Sequence, residues 1–143
     1  MKISQKAEYA VRAALDLALH ALPNAGLRSS EVARRTGVPE KFLEAILLDL
    51  RKGGFVLSKR GPDGGHRLAR DPSRITVGAI VEAIDGPLGA ARRKTRRRAT
   101  PADICVETLW GEVESAVHGV VDGVTLDDLR RQADTRGGMD FNI

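Results

Sequence analysis

Aromatic side chains are scarce: three Phe, one Tyr and one Trp make up 3% of the 143 residues. A buried core must therefore be aliphatic, and the 42% hydrophobic content is enough to supply one from Leu, Val, Ile and Ala. Cysteine occurs once, at Cys105, which excludes an intrachain disulfide framework. No apolar stretch approaches the roughly 18 residues needed to cross a bilayer, so no membrane partner is expected. The opening Met1-Lys2-Ile3-Ser4-Gln5-Lys6 has no apolar run, so a secretory leader is not expected and a cytoplasmic location is. No Ser-His-Asp, HExxH, P-loop or GxGxxG constellation is present, and His20, His66 and His118 are scattered singly. An enzyme is not expected.

What the chain does have is basic charge and helical periodicity. A net charge of +4 and a pI near 9.6 suit a polyanionic partner, although the distribution of the charge says more than its sum. Apolar positions at Ile3, Ala7, Ala10, Val11, Ala14, Leu15, Ala18 and Leu22 predict an Ala-rich helix that stops at Pro23-Asn24-Ala25-Gly26. A second helix is predicted from Ser29 or Ser30, either of which suits a cap, to Thr36-Gly37. A third is predicted from Pro39, with Phe42, Leu43, Ile46, Leu47 and Leu50 as its apolar stripe and Gly53-Gly54 as its end. Two helices joined by a tight Gly-containing turn form a helix-turn-helix pattern. Residues 55–60 and 66–69 flank a Gly-rich tip and predict a β-hairpin, the wing of a winged helix. Thr76 is placed to cap a fourth helix that buries Val77, Ile80, Val81 and Ile84 and ends at Asp85-Gly86-Pro87.

The fold class is thus mainly α with a small β-hairpin. Residues 1–86 form a winged helix-turn-helix, and residues 87–100 a basic loop centred on the arginine run at 92–98. That loop reads as a solvated stretch, an extra phosphate contact, or a holder of an acidic partner or anion. Residues 101–135 hold a long helix and a short terminal one, and residues 136–143 a frayed tail. Thr100 to Asp103 and Thr125 to Asp128 have capping-box spacing. Val106, Leu109, Val113, Val117, Val120 and Val124 recur every three or four residues as one narrow seam, which suits pairing with a second helix.

In a helix-turn-helix the second helix enters the major groove with its N-terminal residues toward base edges, which places Pro39, Glu40, Lys41 and Glu44 there. A carboxylate approaching phosphates is costly unless it accepts a hydrogen bond from cytosine N4, the use assigned to Glu44. Otherwise Glu44 pairs with Lys41. In the wing, Lys59, Arg60, Gly61, His66 and Arg67 are candidate contacts, with Arg60 directed into the minor groove. The tip glycines permit close approach to DNA or simply a tight turn. Ser29 and Ser30 suit a phosphate or a cap. Cys105 reads as a small core residue or as a thiol whose thiolate is favoured by a helix start and nearby arginines.

Several segments together resemble one family. Lys2-Ile3-Ser4, Tyr9-Ala10-Val11-Arg12-Ala13, Leu43-Glu44, Leu50-Arg51-Lys52-Gly53-Gly54 and residues 60–68 are similar to the Rrf2 family of bacterial transcription regulators. Ile75-Thr76-Val77-Gly78, Asp85-Gly86-Pro87, Leu109-Trp110 and Thr125-Leu126-Asp127-Asp128-Leu129 extend the likeness over nearly the whole chain. The resemblance implies a homodimer joined through the long helix, palindromic promoter DNA as partner, and a base-reading role for Glu44. It points to a repressor with signal input through residues 88–105. Many members hold an iron–sulfur cluster on three cysteines in that segment, and some add a histidine a turn later. Here only Cys105 remains, and the histidine place holds Thr108 or Glu107 depending on the alignment. No cofactor is expected, with an atypical cluster as the alternative. Members without the cysteines respond to a partner protein or to thiol oxidation. A protein-interaction regulator of a metabolic enzyme is the runner-up function.

Overall fold

The computed structural model describes residues 3–62, 64–88 and 97–140. Asp63 of the wing tip, most of the arginine run and the last three residues lie outside them. Ser4 opens α1 (Gln5–His20): its hydroxyl accepts from the Ala7 N–H at 3.0 Å. The buried face of α1 is nearly all alanine, at Ala7, Ala10, Ala13 and Ala14, with Leu17 below. Side chains this short let other helices pack closely around it. Next come α2 (Ser29–Thr36), α3 (Glu40–Lys52), the hairpin strands β1 (Val56–Lys59) and β2 (Gly65–Leu68), and α4 (Val77–Asp85). Leu43, Ile46 and Leu50 of α3 meet Val32, Val38, Ile75 and Ile80 in a core that is aliphatic but for Phe55.

The second helix departs from expectation at its start. Ser29 is already its first helical residue, Arg28 occupies the cap position, and no side chain caps it. Phe42 also departs: it is 56% exposed, outside the packed stripe of Leu43, Ile46, Leu47 and Leu50. Pro39 sits one residue before α3, where its carbonyl accepts from the Leu43 N–H at 3.0 Å.

The docking of α2 rests on a contact that periodicity does not reveal. Asp16 of α1 is buried, and Arg35 of α2 grips it with two N–H groups, each 2.9 Å from a carboxylate oxygen. The hydrogen bond to Asp16 holds the Arg35 guanidinium above its usual proton affinity, against the opposing effect of burial.

Both expected capping boxes form. Thr100 and Asp103 open α5 (Pro101–Asp122), and Thr125 and Asp128 open α6 (Leu126–Asp140). The junction between these helices closes back onto the N-terminal unit: Val77 N–H donates to Val124 and Leu126 N–H to Ile75, each at 2.9 Å. Leu126 is fully buried in the common core and α6 packs along α1. The final helix is neither short nor broken at Arg136; it continues through Gly137 and Gly138 to Asp140. In contrast, α5 buries none of its 22 residues. Ile104, Val106, Leu109, Trp110, Val113 and Val120 all stand exposed along it, while Val117 is half-buried. No helix among the described residues is long and apolar enough to cross a membrane.

Candidate nucleic-acid interface

The hairpin is fixed to the body by its second strand. The β1–β2 register pairs Ser58 with His66 and Leu57 with Arg67, so alternate residues face opposite ways. His66 also exchanges two backbone hydrogen bonds with Leu27, each 2.8 Å, which adds the loop before α2 to the sheet edge. That approach requires Gly26, where a Cβ would lie 2.6 Å from the Gly65 carbonyl carbon. Gly64 is needed for the turn itself, because a Cβ there would collide with the Lys59 carbonyl. Gly61, at φ 109°, has open space around it. Gly64 thus serves the hairpin turn, Gly26 serves its seat against the body, and Gly61 stands at the wing tip.

Between the wing and the start of α2 lies a cleft of about 450 Å³. Arg28, Arg51, Lys59 and Arg60 line it together with Ser29 and His66. A neighbouring depression of about 340 Å³ shares Ser29, Arg51 and His66 and is bounded by Glu44, Ala45 and Leu48 of α3. The Arg28 guanidinium donates to the Gly61 carbonyl at 3.2 Å and so ties the wing tip to α2. Glu44 is exposed and makes no ion pair with Lys41 among the described residues, so its carboxylate is available to an outside donor.

His66 has a partner on each ring nitrogen: Ser58 Oγ at 2.7 Å from Nδ1 and Ser29 Oγ at 3.2 Å from Nε2. Burial lowers its pKa below the usual imidazole value; Glu44 opposes the shift and Arg51 adds to it.

The cleft and depression bring together Ser29, Glu44, Lys59, Arg60, Gly61 and His66 of the sequence-predicted contacts. Ser30, Pro39, Glu40 and Lys41 are exposed but line neither. Arg67 is turned to the other side of the hairpin, where its guanidinium donates to the Pro23 carbonyl at 2.7 Å. Two cations were missed by sequence reasoning. Arg51 lies two turns beyond Glu44 on the same helical face, a periodicity that was available. Arg28 had no such signal, because its place depends on how the wing folds over it.

In the segment expected to receive a signal, Cys105 is exposed, which overturns its reading as a core residue. The carboxylate of Asp103 is already committed: it accepts from the Thr100 N–H and hydroxyl at 2.8 and 2.9 Å and from Arg97 at 2.6 Å. His118 lies more than three turns along α5 from Cys105, 3.6 Å from Asp122. Among the described residues no three His, Cys, Asp or Glu side chains are grouped as a metal site. With a single thiolate and a committed carboxylate, these residues do not fit a cluster that needs several sulfur ligands.

Comparison with known proteins agrees with this geometry. The family described as Rrf2, iron-dependent transcriptional regulator, matches residues 3–132. The HTH-type transcriptional regulator IscR of Serratia proteamaculans is 35% identical over 135 residues, covering 94% of this chain and 82% of the relative. The structure of CymR, the global cysteine regulator of B. subtilis, superposes with a TM-score of 0.78 at 30% identity, over 92% of this chain and 98% of that one. The structure of T. potens IscR gives 0.76 at 32% identity, over 93% and 88%.

Proposed function

Since the chain belongs to the Rrf2 family and is a DNA-binding transcription regulator, we propose that it reads a two-fold symmetric duplex site as a homodimer without a three-cysteine iron–sulfur cluster. The observation that carries this is the pairing of a basic cleft beside α3 with a long α5 whose apolar side chains are exposed. Two copies meeting along α5 bury Leu109, Val113 and their neighbours and hold two reading heads at a fixed separation. In each head, Arg51, Lys59 and Arg28 neutralise backbone phosphates while α3 presents Glu44 to base edges. Contacts of the first kind position the protein and are salt-sensitive; contacts of the second kind carry sequence.

The two kinds are separable by mutation. Replacing Arg51 or Lys59 by Ala weakens binding to all duplexes alike and lowers the slope of log affinity against log salt by about one. Anisotropy titrations of a random-sequence duplex over a range of salt concentrations measure this; a salt-independent affinity contradicts the phosphate role. Arg60→Ala, at the exposed wing end, costs about 1–3 kcal/mol, the size of one good DNA contact. Wild-type affinity at physiological salt would place Arg60 outside the interface. Glu44→Ala reduces discrimination between a selected site and its single-base variants by about tenfold, the smaller end of a specific base contact, while affinity for random duplex is maintained or rises. An equal loss on every sequence would show that Glu44 does not read bases.

A further inference from the structure

His66 stands where three elements meet, and its ring nitrogens are both engaged inside the protein. Ser58 belongs to the wing and Ser29 to the first turn of α2, so the imidazole bridges the wing to the helix-turn-helix. Building on the DNA-binding reading above, we propose that His66 is a positioning residue that locks the wing against α2 and takes up a proton when a backbone phosphate enters the cleft, so that DNA binding tightens as pH falls.

The hydrogen-bond inventory supplies the device. A neutral imidazole has one donor and one acceptor nitrogen, whereas the imidazolium has two donors. In the neutral form, either Ser29 or Ser58 must spend its hydroxyl proton on the bare nitrogen. In the charged form both serines accept, and both hydroxyl protons are free to turn outward. The Ser29 hydroxyl, which lines the basic cleft, is then free to donate to a phosphate oxygen whichever ring nitrogen carried the proton before. Protonation thus changes what the cleft offers an anion without breaking the bridge.

The surrounding charges set the sign. Glu44 and Arg51 from α3 act on the ring directly, and Arg28 before α2 and Lys59 and Arg60 from the wing line the same cleft. In the free protein the arginines and lysine oppose a further positive charge, with Glu44 on the other side. A phosphate seated among them cancels part of that repulsion and adds a negative neighbour. The imidazolium is therefore more stable in the complex than in the free protein, and linkage requires the proton to favour the complex in return. Only His66 among the three histidines lines this cleft.

The test uses the full chain and a random-sequence duplex at fixed salt, titrated by anisotropy from about pH 8 to about pH 5.5, the range in which histidine changes charge. Affinity of the wild type is expected to rise several-fold as pH falls. His66→Gln retains a donor and an acceptor but cannot titrate; whatever its affinity at about pH 8, it is expected to lose most of the rise. His66→Phe, which removes the bridge, is expected to bind more weakly throughout. Independently, the His66 ring resonance of the wild type is expected to titrate at higher pH with duplex than without. A pH profile of His66→Gln parallel to the wild type, or a His66 titration unmoved by duplex, overturns the proposal. No binding by any variant at any pH overturns the DNA-binding reading beneath it as well.

Discussion

Leu109→Asp is expected to leave the chain monomeric and to abolish high-affinity DNA binding while the winged helix-turn-helix stays folded. Leu109 is 52% exposed and lies midway along the apolar row of α5, a helix that buries no residue within its own chain. Burial of a leucine contributes about 2 kcal/mol, and two-fold symmetry counts the change once from each protomer, so about 4 kcal/mol of association energy is lost. That alone raises the dimer dissociation constant by about a thousandfold, and the cost of burying two carboxylates near each other adds to it. The core of each subunit is untouched, because Leu126 rather than any residue of α5 joins it. Circular dichroism should therefore be unchanged while sedimentation mass halves. DNA affinity falls because each half-site is then bound separately, without the advantage of linkage. A variant that still sediments as a dimer would remove α5 from the interface.

The second large effect falls on stability. Arg35→Ala is expected to lower the free energy of unfolding by about 2 kcal/mol, less than for a fully buried pair because only the Asp16 half is buried, out of the ~5–15 kcal/mol typical of a domain. The cost arises because Asp16, only 6% exposed, loses the charged hydrogen bonds from Arg35 while remaining inside. His20, whose Nε2 lies 3.7 Å away, is a poor substitute. Arg35 itself is more exposed, so removing the acid instead should cost less. Asp16→Leu combined with Arg35→Met should recover most of the loss, since neither partner is then left charged and buried. Urea unfolding of the four proteins measures the cycle; an unchanged midpoint in Arg35→Ala would contradict it. The same substitution loosens α2 from α1 and so displaces Arg28 and Ser29 from the cleft. It should weaken DNA binding more than an exposed arginine of the same helix, Arg34, does.

Features set by neighbours in the chain were legible in the sequence. The capping boxes at Thr100 and Thr125, the Gly53-Gly54 stop and the hairpin around the Gly-rich tip depend on a few consecutive residues, and all four form. Features set by the angle between elements were not. Asp16 and Arg35 carry no local signal of their pairing, because they meet only where α2 lies across α1. Ser29 suited a cap by type, but the bridge from Leu27 to His66 places it one residue too far in and gives its hydroxyl another partner. Gly26 read as a helix stop, whereas its lack of a Cβ is what admits Gly65. Arg67 read as a wing contact, yet strand alternation sends it to the side opposite His66. Glycine at 137 and 138 predicted fraying, but α6 continues through them to Asp140.

The most direct test of the whole account is selection of bound duplexes from a random-sequence library by the wild-type protein, purified without iron and with a chelator present. A dimer reading DNA through α3 and the wing should enrich an inverted repeat whose half-sites lie about one helical turn apart, bound by two chains per duplex. Enrichment of an asymmetric sequence bound by one chain, or enrichment only after iron is restored, would contradict it.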